Sequence, residues 1–364
     1  MPDPPPCLDG VVVLTDPMTQ AHDPGAEIWV GVATPAVEVP ARVAAIRSAL
    51  AGRGADLLPG DGLDDAVLAA VHTPELLAFL RAAAGRWAAG EYRRLVGQDR
   101  VVPYVFPTPA FLGDLPARVP VATHALTGVF CYDTMTLIGP GTWQAARAAA
   151  DLAQTAVRYA LDGRVAYALC RPPGHHATPG GYGGSCYLNN AAVAAQGFRA
   201  AGVGRVAVID IDAHHGNGTQ AVFYHRSDVW FGSVHVDPGA GWFPHFMGFA
   251  DETGAADGRG WTRNIPLAPG AGDQAFVDGV GALAERAASV GVEALVVSLG
   301  VDAEGGDPES PLEVTPDGFA AAGTVLAELA GSGLPTVLVQ EGGYRLDTLG
   351  ALVARVLGPF ASRR

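Results

Sequence analysis

Arg205-Val206-Ala207-Val208-Ile209-Asp210-Ile211-Asp212-Ala213-His214-His215-Gly216-Asn217 decides how this chain of 364 residues is read. Residues 206–210 read as a strand whose apolar run is continuous rather than alternating, the pattern of a strand covered by helices on both faces. The run then breaks into Asp, His, Gly and Asn. In an open parallel sheet, ligand sites form at that position, just past the carboxyl end of a strand.

The same pattern recurs on either side. Strand 165–170 runs into Arg171-Pro172-Pro173-Gly174-His175-His176, strand 294–299 into Gly300-Val301-Asp302, and strand 336–340 into Glu341-Gly342-Gly343-Tyr344. Further strands are expected at 11–14 and 229–235. Helical periodicity fills the gaps at 40–53, 143–161, 189–201, 217–225, 274–289, 315–330 and 346–357. Residues 63–86 are also helical in pattern, broken near Thr73-Pro74, where Thr73 can cap and Pro74 can open a second helix. This alternation predicts an α/β fold, a three-layer, mostly parallel, doubly wound sheet. At about 150 residues per domain the length allows two domains or, equally, one large α/β domain, and a single domain over 1–364 is the expectation. Prolines 103, 107, 109, 116 and 120 interrupt any regular element between residues 90 and 120. That insertion carries Tyr104, Phe106 and Phe111, so it is expected to be ordered and to cover a site or a partner subunit.

Composition narrows the function. The chain is 49% hydrophobic and 16% charged, which excludes disorder for most of its length. Its net charge of −14 argues against a nucleic-acid footprint and is compatible with a cationic substrate. All 23 basic residues are Arg, a compositional bias. Cys7, Cys131, Cys170 and Cys186 are scattered with no C-x-x-C, so neither a disulfide framework nor a thiolate zinc site is expected. Met1-Pro2-Asp3-Pro4-Pro5-Pro6 lacks the basic and apolar regions of a signal peptide, and no stretch of eighteen apolar residues runs without a charge. A soluble, cytoplasmic setting with no membrane partner is the expectation.

Asp212 and His214 are two residues apart, so on extended backbone their side chains face the same way. Together they can bind one divalent cation, and Asp302 from another strand end can complete three protein ligands. Three ligands plus one open position is what a catalytic zinc requires. His175 and His176, on a Pro-Gly-bounded turn, suit proton handling. Asp210 and Asn217 are the available partners to fix their tautomers. His215 reads as a structural histidine. Gly181-Tyr182-Gly183-Gly184-Ser185-Cys186 lacks the Lys-Ser/Thr of a P-loop, so these glycines are read as letting the backbone offer a carbonyl to a substrate amide. Tyr344, after two glycines, is placed to donate a hydrogen bond to a developing oxyanion.

Taken in order, Arg171-Pro-Pro-Gly-His-His-Ala, Tyr187-Leu-Asn-Asn-Ala-Ala, residues 210–220, Ser298-Leu-Gly-Val-Asp and Gln340-Glu-Gly-Gly-Tyr resemble the histone deacetylase superfamily, most closely its bacterial acetylpolyamine amidohydrolase branch. The resemblance covers nearly the whole chain and implies the arginase-like parallel sheet. It implies one Zn2+ per chain, or Fe2+, on Asp212, His214 and Asp302. It implies His176 as general base and acid, His175 as its electrostatic partner, and Tyr344 as oxyanion donor. Gly184 would accept the substrate amide N–H and Phe243 would wall the channel. A structural K+ or Na+ is implied near Asp210, Asp212, His214, Ser233 and Val234.

The implied activity is metal-dependent hydrolysis of a small N-acylated amine, acetylpolyamines first. Glu309 sits where some relatives place an acidic gatekeeper, and the 90–120 insertion resembles the loop through which bacterial relatives form homodimers. Ser185 stands where relatives usually carry Phe or Tyr, which would widen one side of the channel and suit a bulkier amine of specialised metabolism. A protein acetyl-lysine deacetylase is disfavoured because the insertion narrows the mouth. An arginase-like dimanganese enzyme would need more ligands, and a non-catalytic relative should have lost a ligand or Tyr344.

Overall fold

The computed structural model describes residues 6–62, 64–90, 97–331 and 333–361. The N-terminal run 1–5, Leu63 at the start of the 63–86 pattern, and residues 91–96 of the 90–120 insertion lie outside the described residues.

The strands are β1 (Val12–Thr15), β2 (Ala26–Trp29), β3 (Val32–Pro35), β4 (Asp56–Pro59), β5 (Ala166–Ala168), β6 (Val206–Asp210), β7 (Val229–Val236), β8 (Thr262–Leu267), β9 (Ala294–Leu299) and β10 (Thr336–Gln340). Eight of them form one sheet in the order β4-β1-β5-β10-β9-β6-β7-β8, every neighbouring pair parallel, while β2 and β3 form a separate antiparallel hairpin.

Alternate residues of each central strand enter opposite cores. Val206 and Val208 of β6, Ala294 and Val296 of β9, and Val337 and Val339 of β10 pack into one. Ala207, Ile209, Leu295, Val297 and Leu338 pack into the other. Helices α3 (Pro74–Ala89), α6 (Thr142–Leu161) and α7 (Asn190–Ala200) cover the first face; α1 (Ala41–Ala51), α9 (Asp273–Ser289), α10 (Pro316–Ala330) and α11 (Leu349–Ala361) cover the second. Burial on both faces is why these strands lack alternation, and each fully buried Val, Leu or Ile contributes about 1.5–3 kcal/mol.

The short helices α2 (Asp65–Ala69), α4 (Pro109–Leu112), α5 (Thr123–Phe130) and α8 (Asn217–Phe223) complete the chain. Thr73 caps α3 through its hydroxyl, which accepts from the Leu76 N–H, and Pro74 occupies the first turn. Strands β2, β3, β4 and β8 escape the sequence pattern. β4 is four residues at one sheet edge, and β8 is the opposite edge strand, half-exposed and carrying Pro266. The last helix begins at Leu349 rather than Leu346.

Within the 90–120 insertion, Val101 bridges to Ile138, and Tyr104, Phe111, Leu115 and Val119 are exposed, as is the neighbouring Val121. Among the described residues no helix is long and apolar enough to cross a membrane.

Candidate active site

β10, β9 and β6 are neighbours, with Asp210 opposite Ser298 and Gln340 opposite Leu299, so their carboxyl ends deliver side chains to one place. Asp212, His214 and Asp302 meet there, each offering a ligand atom within 4.8 Å of the others. Local backbone bonds fix them. The His214 N–H donates to Asp212 Oδ1 at 2.9 Å, the Ala213 N–H to Asp302 Oδ1 at 2.9 Å, and the Gly342 N–H to Asp212 Oδ2 at 2.7 Å.

His214 Nε2 donates to the Glu309 carbonyl at 3.0 Å, so Nδ1 is the ring nitrogen that faces the carboxylates. Nδ1 points at Asp212 Oδ1 (3.3 Å) and Asp302 Oδ2 (3.2 Å). Without a cation these two carboxylates hold a proton on Nδ1 and keep the imidazole charged against the effect of burial; a divalent cation would replace that proton and take the same donor set. Burial and the Asp212 carboxylate hold the Asp302 carboxyl above its ordinary range, a penalty that a cation removes. The residues fit a metal.

The paired histidines are differentiated by their partners. His175 Nδ1 lies 2.9 Å from Asp210 Oδ2, and Asp210 and Asp212 hold this imidazole in its charged form against the opposing effect of burial. His176 Nδ1 donates to Asn217 Oδ1 at 2.7 Å, leaving Nε2 as a free base. Burial, then the charges of His175 and His214, keep His176 neutral. The two rings are 3.9 Å apart. One imidazole is charged and the other is a base.

Tyr344 is half-buried on the turn after β10, its N–H donating to Asp307 Oδ2 at 2.8 Å. The Arg42 guanidinium lies over its ring at 4.8 Å and donates to the carbonyls of Gly343 (2.7 Å) and Glu341 (2.6 Å). Arg42 also pairs with buried Glu38 at 2.9 Å, and Glu38 lies 2.8 Å from Arg171 at the start of the histidine turn. Glu341 accepts from the N–H groups of Gly174 (2.6 Å) and His175 (3.1 Å), tying β10 to that turn. Burial pushes the Tyr344 phenol well above its ordinary range, so it remains a proton donor.

Gly184 has φ of +55° and its N–H donates to Asp133 Oδ2 at 2.6 Å. A Cβ there would collide with the His176 ring and fall 2.9 Å from Phe243 Cε1. Gly184→Ala is therefore expected to lower kcat/KM by about 10²-fold through displacement of His176. Steady-state kinetics at unchanged metal content checks this, and wild-type kinetics would refute it.

Phe243 packs edge-on against His176, centroids 4.8 Å apart. Ser185 adopts φ of +61° and its N–H is held by Thr136 Oγ1 at 2.9 Å, so the departure at this position comes with a left-handed backbone. The Glu309 side chain is half-buried; burial and the Asp302 charge raise its carboxyl above the ordinary range, and its own charge acts on Glu27 of the hairpin.

Asp210 lies opposite Ser233 across β6 and β7, and the Ser233 hydroxyl is 2.8 Å from His235 Nδ1. His215 turns away to Gln220 Oε1 at 3.0 Å as a neutral core histidine. A second group, His175, Cys186 and Glu341, also brings ligand-type atoms together. There, burial and then Glu341 keep the Cys186 thiol protonated, and protonated thiols are poor ligands. Sequence reading had missed Glu38, Arg42 and Glu341. Glu341 alone left a signal, its address at a strand end.

The histone deacetylase domain family matches residues 36–359. The chain is 38% identical over 334 residues to the acetylpolyamine amidohydrolase of Mycoplana ramosa, covering 91% of this chain and 94% of the relative. It is 39% identical over 334 residues to that of Burkholderia pseudomallei, covering 90% and 92%. The crystal structure of acetylpolyamine aminohydrolase from Burkholderia pseudomallei superposes with a TM-score of 0.89 at 37% identity, covering 97% of this chain and 99% of that one. On this similarity and the sheet that carries it, the chain belongs to the histone deacetylase family, on its bacterial acetylpolyamine amidohydrolase branch, and is an enzyme that hydrolyses amide bonds.

Proposed function

We propose that this enzyme removes an acetyl or other short acyl group from a small N-acylated amine, acetylpolyamines first, using one zinc or iron(II) ion per chain. The observation that carries the reading is the convergence of Asp212, His214 and Asp302 within 4.8 Å, beside one charged and one neutral histidine. Asp212, His214 and Asp302 would hold a divalent cation, which would supply Lewis acidity to the acyl carbonyl and to water.

The protein groups do the rest. His176 Nε2 takes the proton of the attacking water, with Asn217 fixing the tautomer that leaves this nitrogen bare. The His175–Asp210 pair places a fixed positive charge beside the developing negative one. The Tyr344 phenol donates to the oxyanion, and Arg42 on its ring face and turn holds it in place. His176 then returns its proton to the departing amine. The Gly184 carbonyl accepts the substrate amide N–H and Phe243 packs on the acyl-amine chain. Asp210, Asp212, His214, Ser233 and Val234 would hold a K+ or Na+, which would stiffen that loop. Glu309 would attract the remote ammonium of the amine.

A second reading, a bulkier acylated amine, rests on Ser185, where a ring is missing from the channel wall. Turnover of N-acetylputrescine, N-acetylcadaverine, N8-acetylspermidine, an acetyl-lysine peptide and bulkier N-acetyl amines separates the readings. Preference for the first three is expected; activity confined to the bulkier amines or to the peptide would displace the polyamine assignment.

The exposed Tyr104, Phe111, Leu115 and Val119 support a homodimer through the 90–120 segment. Sedimentation tests this, and a monomeric wild type would contradict it.

A further inference from the structure

Tyr132, just after α5, is not used by the mechanism above. Its hydroxyl donates to the main-chain carbonyl of His176 at 2.7 Å, and among the described residues no backbone N–H is bonded to that carbonyl. Its ring lies nearly parallel to Phe243, with centroids 6.5 Å apart and planes at 17°. The Gly183-Gly184 backbone packs against both rings. A Cβ on Gly183 would strike the Tyr132 ring, just as a Cβ on Gly184 would press on Phe243.

The neighbouring residues of Tyr132 reinforce the same wall. The Tyr132 N–H donates to the Tyr182 carbonyl at 3.2 Å, and Asp133 takes the Gly184 N–H. Tyr132 lines a cavity of about 530 Å³ together with Phe106, Pro107 and Thr108, and the residue is 38% exposed. Packing is therefore loose on that side, and the hydroxyl bond to His176 fixes where the ring sits.

We infer that Tyr132 is a positioning residue for deacylation. It fixes the main chain of the general base through its hydroxyl, and through its ring it backs the Gly183-Gly184 wall that presents the substrate-accepting carbonyl. The inference rests on the proposed role of His176 and separates two effects on one side chain. Loss of the hydroxyl frees His176 and acts on kcat. Loss of the ring frees the wall as well and acts on KM.

The test compares Tyr132→Phe, Tyr132→Leu and Tyr182→Phe in the metal-loaded enzyme, using whichever amine of the panel the wild type turns over best. A failure here is thereby distinguished from a failure of the substrate reading. Tyr182 is the control: its ring is fully buried in the core against Phe79 and Tyr187, and its hydroxyl faces the Cys131 thiol rather than His176. Tyr132→Phe is expected to lower kcat by about tenfold or more with KM within about twofold, since a small displacement of a catalytic base is costly. Tyr132→Leu should show the same kcat loss with KM raised in addition, and Tyr182→Phe should match the wild type. Unchanged kcat in Tyr132→Phe, or an equal loss in Tyr182→Phe, would overturn the assignment.

Discussion

Tyr344→Phe is expected to lower kcat by about 10²- to 10³-fold while metal stoichiometry and KM stay near wild type, the cost of removing one donor aimed at an oxyanion. The expectation follows from what holds the phenol. Arg42 lies over the ring at 4.8 Å and bonds the carbonyls of Glu341 and Gly343, so the turn carrying the phenol is fixed before substrate arrives. A donor already in place loses nothing to reorganisation when charge develops. Phenylalanine keeps the ring and its contact with Arg42, so the variant removes the hydroxyl alone. A Tyr344→Phe enzyme with wild-type turnover would remove this residue from the chemistry. Single-turnover amine release at saturating substrate reads the step directly.

The second large effect is expected at Asp302. Asp302→Ala should abolish stoichiometric metal binding, because the remaining Asp212 and His214 supply two ligands where a stable site requires three. Activity should fall to background with it. Two readouts check this without reference to turnover. Metal analysis after dialysis should find wild type loaded and the variant empty. Added zinc should raise the melting temperature of metal-free wild type but not that of Asp302→Ala. At a metal concentration a thousandfold above Kd the expected stabilisation is ~4 kcal/mol. A variant that retains one zinc per chain would refute the ligand assignment.

The fold was legible where burial makes a strand uniformly apolar. β6, β9 and β10 lie in the middle of the sheet with every residue buried, and their sequences, VAVID, ALVVSL and TVLVQ, announce it. β4 and β8 are edges, where one side of the strand has no neighbour and exposure dilutes the pattern; Pro266 even argues against a strand. The β2–β3 hairpin exposes Trp29, Val30 and Val32, so its apolar residues follow no core.

The site divides in a similar way. Asp212 and His214 could be read as a pair because their spacing is local, and Asp302, His175, His176 and Tyr344 because each follows a strand end. The residues that hold them could not. Arg42 reaches Gly343 and Glu341 across about 300 positions of chain, and Glu38 joins Arg42 to Arg171 from the entry to α1. Their roles exist only once the sheet has brought those segments together. Tyr132 is likewise silent in sequence, since a tyrosine after a short helix reads as packing.

The central claim is that amide hydrolysis here depends on a metal held by Asp212, His214 and Asp302 and on the neutral base His176. The most direct test is amine release from N-acetylputrescine by one preparation measured as purified, after chelation, and after restoration with zinc. The account predicts turnover that disappears with the metal and returns in proportion to zinc bound, up to one ion per chain. Turnover that survives complete metal removal would contradict it.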